Sequence, residues 1–135
     1  MGINSKQKGK RGELELVHAF RQYGYDTHRS VQYNGRAEDG EADLVGLEDI
    51  HVECKYTNAL RLYDAIKQSI RDTKTTGKDE LPVVFHRRAR EDWVAIMPLD
   101  VFFTLYNGYE KNKKGENMEN DAGKKKWSYF YIVRL

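Results

Sequence analysis

The 135-residue sequence predicts an α/β fold, a mixed central β-sheet flanked by helices. Three observations predict it. Apolar residues recur at helical spacing in two segments, residues 10–23 and 62–73. Between and after them lie short runs rich in Val, Ile, Tyr and Phe, bounded by Gly, Asn and Asp, as strands are. The length suits one domain, and 39% hydrophobic residues, with nine Tyr, five Phe and two Trp, can fill its core.

The first helix is expected from Lys10 to Tyr23, with Leu14, Leu16, Val17 and Phe20 on or near one face and Gly24 at its C-terminal cap. Large residues then alternate from Tyr25 to Tyr33, a strand that Gly35 ends. Ala42–Leu47 and Ile50–Tyr56 flank Glu48 and Asp49 and read as a hairpin. A second helix is predicted over Leu62–Thr73, burying Leu62, Ala65, Ile66, Ser69 and Ile70. Two strands follow, Leu81–His86 and Trp93–Met97, and Pro98 opens a short helix from Leu99 to Tyr106. Residues 107–126, almost without apolar side chains, read as a flexible loop, and 127–135 as a strand returning to the body of a single domain, 1–135.

Composition excludes several classes of function. No apolar run exceeds five residues, so no membrane span is expected. The basic start has no apolar segment behind it, unlike a secretory signal, and the chain reads as cytoplasmic. A lone cysteine, Cys54, excludes an internal disulfide framework and a multi-cysteine zinc site. Net charge is only +2, but the charges are clustered. Lys6, Lys8, Lys10 and Arg11 crowd the start, Arg87, Arg88 and Arg90 one turn, and Glu38, Asp39, Glu41 and Asp43 another stretch. Basic rims around an acidic centre suit a polyanion handled through a metal ion; taken singly, each cluster is equally a solvated surface.

The informative constellation is Glu13 on the first helix, Asp43 on one hairpin strand, and Glu53 and Lys55 on the other. Alternate strand residues share a face, so Ile50, Val52 and Cys54 should meet the core, leaving His51, Glu53 and Lys55 on the more open side. His51 on that side is expected to be a surface histidine. Register decides whether Asp43 joins Glu53. A two-residue turn would place Asp43 opposite Cys54, on the wrong face, whereas a three-residue loop or one bulge places it opposite Glu53 or Lys55. Converging carboxylates suit Mg²⁺, with Mn²⁺ able to substitute, and Asp43, Glu53 and Glu13 are the expected ligands, Glu13 through a water. Such an ion would activate water against a phosphodiester, and Lys55 would stabilise the developing charge. Glu15 competes with Glu13 but lies about 200° away around the helix; Glu41 is a weaker alternative to Asp43.

Asp43, nine intervening residues and Glu53-Cys54-Lys55 resemble the PD-(D/E)XK nuclease signature, with Ala42 where proline often stands. The run GKRGELELV with Glu13, then Gly24-Tyr25 and Arg29, is similar to archaeal-type Holliday-junction resolvases within that superfamily. The resemblance spans about residues 8–100. It implies a restriction-endonuclease-like αβββαβ core, Mg²⁺ dependence, a supporting glutamine at Gln68, and a homodimer nicking a four-way DNA junction. Phosphate contacts are expected from Lys8, Lys10, Arg11, Arg29, Asn34, Arg36, Arg87, Arg88 and Arg90. The alternatives are another nuclease of this superfamily, of repair or restriction type, or a non-catalytic nucleic-acid-binding module.

Overall fold

The computed structural model describes residues 5–30 and 42–120, with side chains as far as 115. Eight elements follow in order: α1 (Ser5–Gln22), β1 (His28–Arg29), β2 (Leu44–Val45), β3 (Ile50–Tyr56), α2 (Leu62–Thr76), β4 (Leu81–Arg87), β5 (Val94–Ile96) and α3 (Leu99–Asn120). The strands form one mixed sheet in the order β1-β2-β3-β4-β5. β1, β2 and β3 run antiparallel in succession, β3 and β4 are parallel, and β5 returns antiparallel to β4. The order α1-β1-β2-β3-α2-β4 reproduces the expected αβββαβ core.

Parallel pairing of β3 with β4 needs a crossover, and α2 supplies it. Gly77 ends α2 in the left-handed conformation (φ 66°), where a residue without a Cβ is cheapest. Leu16 and Val17 of α1 form the core with Leu44 and Val52. Phe20, Phe85, Ile50, Cys54 and Trp93 pack around it, Phe20 meeting Phe85 edge to face with ring centroids 4.9 Å apart. Leu14, expected on the buried face, is half exposed because the stripe that meets the sheet runs through Gly12, Leu16 and Val17. A Cβ on Gly12 would stand 2.5 Å from Tyr56 Cβ, so only glycine lets α1 lie this close to the end of β3.

A polypeptide boundary between two compact units falls at Pro98–Leu99. In the second unit α3 does not stop at Tyr106, as expected, but continues to Asn120, so residues 107–120 are helix and not loop. A scarcity of apolar side chains does not preclude helix here: Glu and Lys are good helix formers, and Glu110 and Lys114 stand at the favourable i, i+4 spacing. Along the helix Phe102 stacks on Tyr106, with centroids 6.0 Å apart. The expected returning strand, 127–135, lies outside the described residues, as do residues 121–126 of the expected loop.

Candidate active site

The two faces of β3 determine where its side chains go. Val52 points into the core against α1 and is fully buried. On the other face stand His51, Glu53 and Lys55. That face is not open, as the alternation had suggested: His51 is 0% exposed and Glu53 5%. It is covered from α2, where Gln68 Oε1 accepts from Lys55 Nζ at 3.2 Å and Asp72 approaches His51 and Glu53. Lys55 Nζ also lies 3.4 Å from Glu53 Oε1. The ammonium is thereby held between a carboxylate and a carboxamide.

Asp43 reaches this face through the hairpin register. Leu44 pairs with Val52, which leaves Leu47, Glu48 and Asp49 as a three-residue loop, with Asp49 left-handed at φ 64°. Asp43 therefore falls opposite Glu53. Its N–H donates to the Val52 carbonyl at 2.8 Å, and its Oδ2 accepts from the Cys54 amide, also at 2.8 Å. The carboxylate thus takes up a backbone donor of β3 just before β2 begins.

Burial first, and then proximity to one another, sets the electrostatics. Asp43 is pushed up to about 6, chiefly by desolvation and partly by Glu13, while the Cys54 amide holds it down. Glu53 is pushed up to about 7 by desolvation and by Asp43, with Lys55 opposing. The Cys54 thiol is driven far above its usual range by burial and by the same carboxylates, which leaves it a neutral, half-buried packing group.

Glu13 comes to the site from α1, where it accepts from Arg29 Nε at 2.6 Å. Glu15 is turned the other way, to Arg87 at 3.1 Å and Arg11 at 3.3 Å. The structure thus brings together Glu13, Asp43, Glu53, Lys55 and Gln68. It also adds Asp72, which the sequence reading missed; its signal was the one-turn spacing from Gln68 on the same helix. His51, expected at the surface, is a correction of the same kind. Sequence alternation gives the face of a strand but not whether a later helix will cover it.

The expected phosphate contacts divide. Arg29 is engaged with Glu13, and Arg87 with Glu15 and, through Nε, with the Glu91 carbonyl at 2.7 Å. Arg88 pairs with Glu91 at 3.3 Å, and Lys8 lies over the Tyr56 ring, 5.9 Å from its centroid. Lys10, Arg11 and Arg90 are exposed, whereas Asn34 and Arg36 lie outside the described residues. No helix among the described residues is long and apolar enough to cross a membrane.

No family model and no curated protein matches this sequence. Among solved structures, the chain is similar to Hjc of Archaeoglobus fulgidus, a Holliday junction resolvase from an archaeal hyperthermophile. The two share 18% identity over 66% of this chain and 76% of that one, with a TM-score of 0.49. The α/β class itself is read from the sheet and helices of this chain.

Proposed function

We propose that this chain is a Mg²⁺-dependent DNA endonuclease, a Holliday-junction resolvase that makes paired nicks as a cytoplasmic homodimer. The observation that supports the reading is the hairpin register, which sets Asp43 opposite Glu53 while α1 brings Glu13 and β3 brings Lys55. The donor set fits the ion. A buried carboxyl and a half-buried one that resist ionising beside one another call for a compensating cation, and an all-oxygen set suits hard Mg²⁺, with Mn²⁺ as a substitute. When bound, Mg²⁺ polarises the phosphodiester and makes a coordinated water acidic enough to supply a nucleophile near neutral pH.

The chain's own residues do the rest. Asp43 and Glu53 would hold the ion, and Glu13 would complete the shell through a water while Arg29 fixes its carboxylate. Lys55, held by Gln68 and Glu53, donates to a phosphate oxygen as charge develops on it. Symmetric nicking of a junction calls for two such sites related by a two-fold axis, hence the homodimer. Exposed Lys10, Arg11 and Arg90, with Lys8, Arg88 and Arg87 nearby in sequence, supply phosphate contacts whose strength falls with salt.

The test is cleavage of an end-labelled four-way junction beside a linear duplex of the same arms, in Mg²⁺ or EDTA. Paired nicks in the junction alone, abolished by EDTA, are the expected result. Cutting of the duplex as well would keep the nuclease and remove junction selectivity. No cutting of either, in Mg²⁺ or Mn²⁺, would leave a binding module.

A further inference from the structure

On the face of β3 that α2 covers lies a second group of ligand atoms. One nitrogen of His51, one carboxylate oxygen of Glu53 and one of Asp72 lie within 4.8 Å of one another. Two of the three residues are buried and Asp72 is half-buried. His51 makes the group more than an acidic cluster. Its side chain is 0% exposed, yet neither ring nitrogen has a hydrogen-bond partner. The nearest outside carboxylate, Glu80, stands 3.9 Å from Nδ1, beyond hydrogen-bond reach. An imidazole buried without partners forfeits its solvation and gains nothing, a cost that proteins rarely leave uncompensated.

We propose that His51, Glu53 and Asp72 bind a divalent transition-metal ion, of the Mn²⁺ or Zn²⁺ kind, at a site separate from the Asp43 position. The donor set selects the class. An imidazole nitrogen with two carboxylate oxygens suits borderline ions, whereas Mg²⁺ prefers oxygen alone. Such an ion would satisfy the buried ring and draw Asp72 and Glu53 together, tying α2 to β3. Glu53 interacts with both Asp43 and Asp72, so its carboxylate would serve both positions. The site shares Glu53 with the proposed catalytic position, but His51 and Asp72 belong to it alone, and its binding of an ion does not require the nuclease reading.

The experiment titrates Mn²⁺ into the full chain without DNA, with bound ion counted by electron paramagnetic resonance and ¹⁴N coupling read by pulsed methods. Wild type is expected to bind Mn²⁺ with imidazole nitrogen coupling. His51→Gln should abolish that coupling, and Asp72→Asn should weaken the nitrogen-coupled ion by on the order of tenfold or more. Asp43→Asn should leave the coupling in place, which separates this site from the proposed catalytic one. Far-UV circular dichroism confirms that each variant is folded, and Asp72→Asn, at a half-buried position, carries the test if His51→Gln is not. Mn²⁺ bound without nitrogen coupling, coupling that survives His51→Gln, or unchanged affinity in Asp72→Asn would overturn the proposal. So would no Mn²⁺ binding at all.

Discussion

On one face of β3, Ile50, Val52 and Cys54 meet Leu16 and Val17 of α1, and the contact is apolar. On the other face, His51, Glu53 and Lys55 meet Gln68 and Asp72 of α2 across a comparable depth of burial. The first face contributes to folding as any core does, through area removed from water. The second opposes it, because carboxyls and an imidazole lose hydration there, and only the carboxyls regain part of it, from Lys55 and one backbone amide. In a strand that buries both faces, the apolar face must carry the polar one.

The comparison breaks most completely on the polar face. Asp43→Asn or Glu53→Gln should reduce junction cleavage by on the order of a thousandfold or more in a gel assay, with DNA binding retained. On the apolar face, Val52→Ala should cost about 2–3 kcal/mol in urea denaturation, through lost transfer energy and a cavity, while the residual folded protein still cuts.

The same contrast sets the pH dependence of the metal-free protein. Asp43 and Glu53 titrate near 6 and 7 when folded, against ordinary values of 3.8 and 4.5. Each is therefore easier to ionise unfolded. Their contribution is present in full below about pH 4 and is lost as pH rises through 6 to 7. In EDTA the unfolding midpoint should fall from pH 5 to pH 8, and Glu53→Gln should flatten that fall. At pH 8 the substitution should stabilise the chain by on the order of 1–2 kcal/mol, as it removes a buried charge. The smallest effect is expected for Gln68→Ala. Freed from its 3.2 Å contact, Lys55 should cost the reaction about tenfold in kcat with little change in stability, seen by pairing single-turnover kinetics with thermal unfolding.

Much of this arrangement was legible in the sequence where local rules act. β3 has the predicted bounds, Ile50–Tyr56, because alternation and flanking acidic residues define it without help from elsewhere. α2 starts at the predicted Leu62, but it runs three residues past the predicted Thr73, to the glycine that ends it. Helical geometry lets only one of Glu13 and Glu15 face the site, and the distance to Gly24 singles out Glu13. What escaped was set at a distance. Asp72 is 17 residues beyond Lys55 in no motif, and its approach to Glu53 follows from the crossover that returns β4 parallel to β3. The burial of His51 has the same origin. The continuation of α3 beyond Tyr106 escaped for the opposite reason, since a charged helix needs no apolar stripe to be continuous and so leaves no period to read.

The three-residue tip of the β2–β3 hairpin has a consequence for how this chain can vary. Hairpin tips are ordinarily where a lineage gains and loses residues at little cost, being exposed and remote from the core. Here the parity of the tip decides which side of the sheet Asp43 serves. A single residue gained or lost between Leu47 and Asp49 would present the opposite set of side chains, unless a bulge absorbed it. Length at this tip is therefore under the same constraint as identity at the carboxylates, although none of its three residues touches them.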